Sequence, residues 1–95
     1  MDMRRTDVFD GWLRGLRDAR AKARVALRLD RLAHGNAGDM KSVGEGVSEL
    51  RIDYGPGYRI YFVRRGEALV ILLCGGDKGS QDRDIARAKA IARTV

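Results

Sequence analysis

The stretch Glu49-Leu50-Arg51-Ile52-Asp53-Tyr54-Gly55-Pro56-Gly57-Tyr58-Arg59-Ile60-Tyr61-Phe62 decides the fold. Apolar residues recur every second position on both sides of a Gly-Pro-Gly centre. A period of two sends successive side chains to opposite faces of a strand. Ser48, Leu50, Ile52 and Tyr54 therefore share one face, and Glu49, Arg51 and Asp53 share the other. In the second arm Tyr58, Ile60 and Phe62 lie opposite Arg59, Tyr61 and Val63. Gly55-Pro56-Gly57 is a turn signal, so the two arms pair as an antiparallel hairpin. Arg51 and Arg59 stand at equal distance from Gly55, and the pairing brings them together.

Downstream of the hairpin, Arg65-Gly66-Glu67 turns the chain again. Leu69 to Cys74 is apolar on both faces, the pattern of a central strand covered on each side. Gly75-Gly76 ends it, and Gln81 to Arg93 forms a closing helix with Ile85, Ala88 and Ile91 at helical spacing.

Upstream, Gly35 to Gly46 holds four glycines and reads as a loop. Before it, Thr6 suits a helix N-cap, and Val8, Phe9, Trp12, Leu13 and Leu16 mark one apolar face. Asp18 caps a second helix running to about Ala33, with a stripe through Ala21, Val25, Leu29 and Leu32. Gly35 is its stop. So short a link predicts an antiparallel helical hairpin. Met1 to Arg5 reads as a short edge strand. The expectation is one α+β domain spanning residues 1–95. Its helices, an N-terminal helical hairpin and a closing C-terminal helix, pack on one face of a small twisted, mostly antiparallel sheet in this reading.

The 95 residues carry 19 Lys and Arg against 13 Asp and Glu, a formal net charge of +6. So basic a small domain favours polyanions, nucleic acids first. Cys74, the single cysteine, has no partner for an intrachain disulfide, which fits a reducing compartment. Met1 to Thr6 does not read as a secretory signal. Ala68 to Cys74 is far shorter than the roughly 20 apolar residues of a membrane span. These features predict a cytoplasmic protein with no membrane partner.

One His and one Cys leave no metal-ligand spacing, so neither metal nor cofactor is expected. Gly44-Glu45-Gly46 precedes a strand, not the helix a phosphate loop requires. Ser42, Ser48 and Ser80 have only His34 as a base, and nothing ties them to it. Trp12 reads as a core anchor and His34 as a helix-end cation. The paired arginines are more informative. Two adjacent guanidinium groups call for a shared anion, and a phosphodiester offers bidentate acceptors. The competing reading is that Glu49 and Asp53 take both arginines in cross-strand ion pairs.

Metal-free cleavage of RNA through its own 2′-hydroxyl needs a base, a cation for the phosphorane and an acid for the 5′-oxygen. Arginine suits the second role. Lys41, Lys78, Tyr61 and His34 are the available proton carriers. Lys78 follows the central strand and reaches the sheet's rim, while Lys41 lies in the loop leading into the hairpin.

Phe9-x-x-Trp12-Leu13-x-x-Leu16, Ala21-Lys22-Ala23-Arg24 and Gly35-Asn36-x-Gly38-Asp39-x-Lys41 resemble the RelE/ParE superfamily of toxins. The Glu49–Phe62 stretch and Leu73-Cys74-Gly75-Gly76-Asp77-Lys78 resemble its HigB-like, phage Gp49-like branch of addiction-module killer proteins. The resemblance implies a RelE-like fold and a ribosome-dependent mRNA endoribonuclease that inhibits translation. It also implies neutralisation by a helix-turn-helix antitoxin encoded by the adjacent gene, with ribosome and mRNA as the other partners. By motif, Arg59 matches a family catalytic arginine, Arg51 a basic position on the preceding strand, and Lys78 a basic position after the last strand. Lys41, Tyr61 and Arg64 are the RNA-contacting residues of the same reading. The family's C-terminal proton-transferring Tyr or His has no counterpart, since Asp82, Arg83 and Asp84 fill that stretch. Two alternatives stand beside the nuclease: a ParE-like gyrase inhibitor, and a non-catalytic member that only binds its antitoxin.

Overall fold

The computed structural model describes all residues 1–95. The chain runs β1 (Asp2–Arg5), α1 (Asp7–Gly15), α2 (Ala19–Ala33), β2 (Met40–Gly44), β3 (Val47–Ile52), β4 (Tyr58–Arg65), β5 (Leu69–Asp77), a 3₁₀ turn (Lys78–Ser80) and α3 (Gln81–Ala92). The five strands form one sheet in the order β1-β5-β4-β3-β2. Only the β1–β5 pair is parallel; the other three are antiparallel.

The helix starts are those the capping residues dictate. The Thr6 hydroxyl accepts from Phe9 N at 3.0 Å and donates to Leu73 O at 2.6 Å, so it caps α1 and ties it to β5. Asp18 accepts from Arg20 N and Ala21 N at the head of α2. Gly35, in the left-handed region at φ 87°, lets the chain leave α2.

Three expectations are corrected. The loop drawn over Gly35–Gly46 contains strand β2, which pairs with β3 and forms a sheet edge. It is mostly exposed, and exposure removes the apolar alternation that marks a strand. Secondly, the helices do not share one face. Phe9, Val25, Leu29 and Leu32 of α1 and α2 pack against Leu50, Ile52, Ile60, Phe62, Val70 and Leu72. Ala88 and Ala92 of α3 pack on the opposite side, against Val47, Tyr61, Val63, Ile71 and Leu73. Thirdly, α1 is not simply half of a helical hairpin. It lies along β5, the strand it is capped onto.

The alternation along β4 and β5 builds both cores at once. Two thin cores on either side of one sheet suit a chain too short to fill one thick core. The glycine pair that ends the apolar part of β5 is also explained. A Cβ on Gly75 would stand 2.2 Å from Trp12 Cδ2, and one on Gly76 1.9 Å from Asp84 Oδ2. Successive residues face opposite sides, so α1 presses on Gly75 and α3 on Gly76.

Candidate functional site

Antiparallel pairing places Arg51 directly opposite Arg59, as the symmetric turn required. The row extends through the sheet: Gly76 of β5 faces Arg59, and Asp39 O accepts from Arg51 N at 3.0 Å. Lys78 follows β5 beside the same turn, its Cβ 3.4 Å from where a Gly57 side chain would begin. Gly57 has φ 78° and also lies against the Arg59 guanidinium, so glycine is needed there twice over. Asp39, Arg51, Asp53, Arg59, Lys78 and the Gly55-Pro56-Gly57 turn line a cleft of about 430 Å³. No apolar side chain other than the proline ring lines it.

Glu49 sits beneath this cleft, fully buried. Its Oε1 accepts from Arg51 Nε at 3.0 Å and lies 3.8 Å from Arg59 Nε. Its Oε2 accepts from Tyr61 Oη at 2.9 Å and from Gln81 Nε2 at 2.8 Å. A bare buried carboxylate would be costly, but here every oxygen is engaged. Burial pushes its pKa up; hydrogen bonds from Gln81, Arg51 and Tyr61 outweigh that and hold it below the usual range. Glu49 thus stays ionised and fixes one side of the arginine pair.

Arg59 is nearly buried, its side chain 12% exposed. One terminal nitrogen donates to Gly57 O and Tyr58 O, while Nε, shut off from solvent, makes no hydrogen bond. Arg51 is more open, at 34%. The competing ion-pair reading is therefore half realised. Glu49 engages Arg51 and approaches Arg59, but Asp53 pairs with neither and is exposed in the cleft wall. The cleft's three cations are set against buried Glu49 and the exposed Asp39 and Asp53, but neither exposed carboxylate takes a cation, so guanidinium donors remain for an anion.

The remaining predicted residues are distributed unevenly. Tyr61 shares the arginine face but is fully buried, because α3 covers it. Burial and the Glu49 hydrogen bond drive its pKa well above the ordinary phenol value, so it remains a donor below the cleft and cannot touch RNA as expected. Lys41 is exposed and pairs across from Glu49, putting it at the outer edge of that face. Arg64 points to the other side of the sheet with Phe62 and lies apart from the cleft. His34 is exposed at the end of α2, its Nδ1 2.8 Å from Asp30 O.

Two contributors carry no signal in the sequence. Gln81, the first residue of α3, reaches Glu49 across 32 positions of chain. Arg28 projects from α2 and donates to Arg51 O, Ala37 O and Asp39 O. It staples the segment before β2 to β3 and so sets the wall that carries Asp39. Only the basic character of Arg28 could have flagged it, and a surface arginine is ordinary.

The Glu49 network has a pH signature. A depressed carboxyl pKa stabilises the fold above the unfolded value of about 4.3 and loses that contribution as pH falls below it. Circular dichroism from pH 7 to pH 2 should show wild type losing stability through that window. Glu49→Gln should be less stable at pH 7 and lack that part of the acid dependence.

No solved structure matches the chain. It is 52% identical over 95 residues to an uncharacterized protein of Haemophilus influenzae strain Rd, a match covering 100% of this chain and 96% of the relative. The family model described as "Phage derived protein Gp49-like (DUF891)" matches residues 11–94. The chain that folds around this arginine cleft is thus a member of the Gp49-like family of phage-derived proteins.

Proposed function

We propose that this protein is the toxin of a type II toxin–antitoxin pair and cleaves mRNA on the ribosome without a metal. The observation that carries the reading is the Arg51–Arg59 pair, held over buried Glu49 and opening with Lys78 into a polar cleft. A phosphodiester entering the cleft meets three cations. As the 2′-oxygen attacks, the phosphorane gains negative charge, and prefixed guanidinium donors stabilise that charge more than the ground state. Pinning Arg59 by Gly57 O, Tyr58 O and Glu49 means that little reorganisation is needed at the moment of reaction. Family membership supports the toxin identity, and with it a cognate helix-turn-helix antitoxin as partner. Ribosome and mRNA are the substrate complex of the same reading.

Inducing the protein alone in a bacterium and mapping mRNA 5′ ends tests this. New ends within translated codons, and growth arrest, are expected for wild type. Arg59→Ala should lose both, by at least about 100-fold in cleavage. Growth arrest with intact mRNA and altered DNA supercoiling would instead favour a gyrase inhibitor. No arrest at all would leave a protein that only binds its antitoxin.

A further inference from the structure

We infer that Asp39 is the general base and Lys78 the general acid of this cleft, so the RNA strand crosses the sheet with its 2′-hydroxyl on the β2 side. The inference rests on the nuclease reading above and assigns the two proton transfers it leaves open. The cleft holds few groups able to move a proton. Glu49 is buried, ionised and engaged on both oxygens. Tyr61 is buried beneath it. Arginine does not give up its proton in this range. What remains is Asp39, Asp53 and Lys78, all exposed in the cleft wall.

Position separates these three. The register aligns Asp39, Arg51, Arg59 and Gly76 of β5 in one row across the sheet. Lys78 follows two residues after Gly76, on the β5 side of the arginines and beside Gly57. The order is carboxylate, guanidinium, guanidinium, ammonium. Phosphoryl transfer of this kind is in line, so attacking and leaving oxygens depart from opposite sides of phosphorus. A base on the β2 side and an acid on the β5 side, with both arginines between, matches that requirement. Asp53 follows β3, the strand that carries Arg51, so it does not flank the arginine pair from the outside and takes no part.

In the step itself the Asp39 carboxylate takes the 2′-hydroxyl proton while the 2′-oxygen forms a bond to phosphorus. The bond from phosphorus to the 5′-oxygen breaks, and that oxygen takes a proton from the Lys78 ammonium. The products are a 2′,3′-cyclic phosphate and a 5′-hydroxyl, and exchange with water restores both side chains.

Asp39→Asn is a clean variant, because the Asp39 backbone carbonyl, not its carboxylate, makes the bonds to Arg51 and Arg28. Single-turnover cleavage would be measured on ribosomes carrying mRNA cut at the codon found by 5′-end mapping. A second mRNA would carry sulfur in place of the bridging 5′-oxygen there, a leaving group that needs no proton. Asp39→Asn should be slowed at least about 100-fold on both substrates. Lys78→Ala should be slowed similarly on RNA but regain near wild-type rate on the sulfur substrate. Near wild-type cleavage of RNA by Asp39→Asn would overturn the assignment. So would sulfur rescue of Asp39→Asn in place of Lys78→Ala. If wild type cleaves neither substrate, the nuclease reading itself has failed, which is a different result from either.

Discussion

Gly75→Ala should lower the melting temperature by more than 10 °C or prevent folding at 37 °C. The added methyl would stand 2.2, 2.3 and 2.6 Å from three atoms of the Trp12 ring. No real Cβ comes so close, so ring or strand must move. The ring is wedged in place. Its centroid is 5.7 Å from that of Phe9 and 6.2 Å from that of Tyr58. Overpacking of this severity costs about 3 kcal/mol or more, and each kcal/mol moves the midpoint about 4–8 °C in a domain of this size. Gly11→Ala provides the contrast. It lies in α1 with no atom within 4 Å of the place its new methyl would take, and should gain about 0.5–1 kcal/mol from helix propensity. Thermal melts of the two variants should therefore move in opposite directions. If Gly75→Ala melts with wild type, the close seating of Trp12 on β5 is wrong.

Glu49→Ala should have the second largest effect. It removes the only carboxylate bonded to Arg51 and near Arg59, and leaves Tyr61 Oη and Gln81 Nε2 without their shared acceptor. Deleting one partner of a buried charge network typically costs about 3–5 kcal/mol, since the opposite charges stay behind uncompensated. Out of the roughly 5–15 kcal/mol that holds a domain folded, that is a large share. Urea denaturation should register the loss at pH 7. As pH falls below the unfolded carboxyl value and Glu49 of wild type takes up its proton, the two proteins should converge. A deficit that persists unchanged into acid would mean that packing, not charge, is what Glu49 supplies.

The hairpin was readable because its turn is chemically explicit. Gly-Pro-Gly fixes where the chain reverses, and the alternation on each side fixes the register to the residue, so Arg51 met Arg59 as expected. The two helix caps, Thr6 and Asp18, were equally local and equally legible. What failed was long-range. Glu49 occupies a strand position followed on that face by Arg51 and Asp53, both polar, and nothing nearby announces that Gln81 will reach it. Tyr61 was misplaced for the same reason. The apolar residues of β4 and β5 already served both faces, yet a helix as rich in alanine as α3 gives little sign of which face it fills. β2 is an edge strand, and edges with few buried side chains have no period to read. Asp39 fell inside the supposed loop, so its alignment with the arginines appeared only with the strand.

The place of β5 in the sheet has a consequence for biosynthesis. It is the last made of these five strands, yet it lies between β1 and β4, and α1 is capped onto it. Until it emerges, the first strand has no neighbour and Thr6 no carbonyl to bond. The parallel β1–β5 ladder joins residues 2–5 to residues 69–72, the kind of distant contact that slows folding. Lys78 and Gln81, which complete the cleft and its support, follow later still. A nascent chain therefore cannot assemble the arginine cleft while most of it is still being translated. The cleft is withheld until β5 and the residues that follow it have been made, by topology alone.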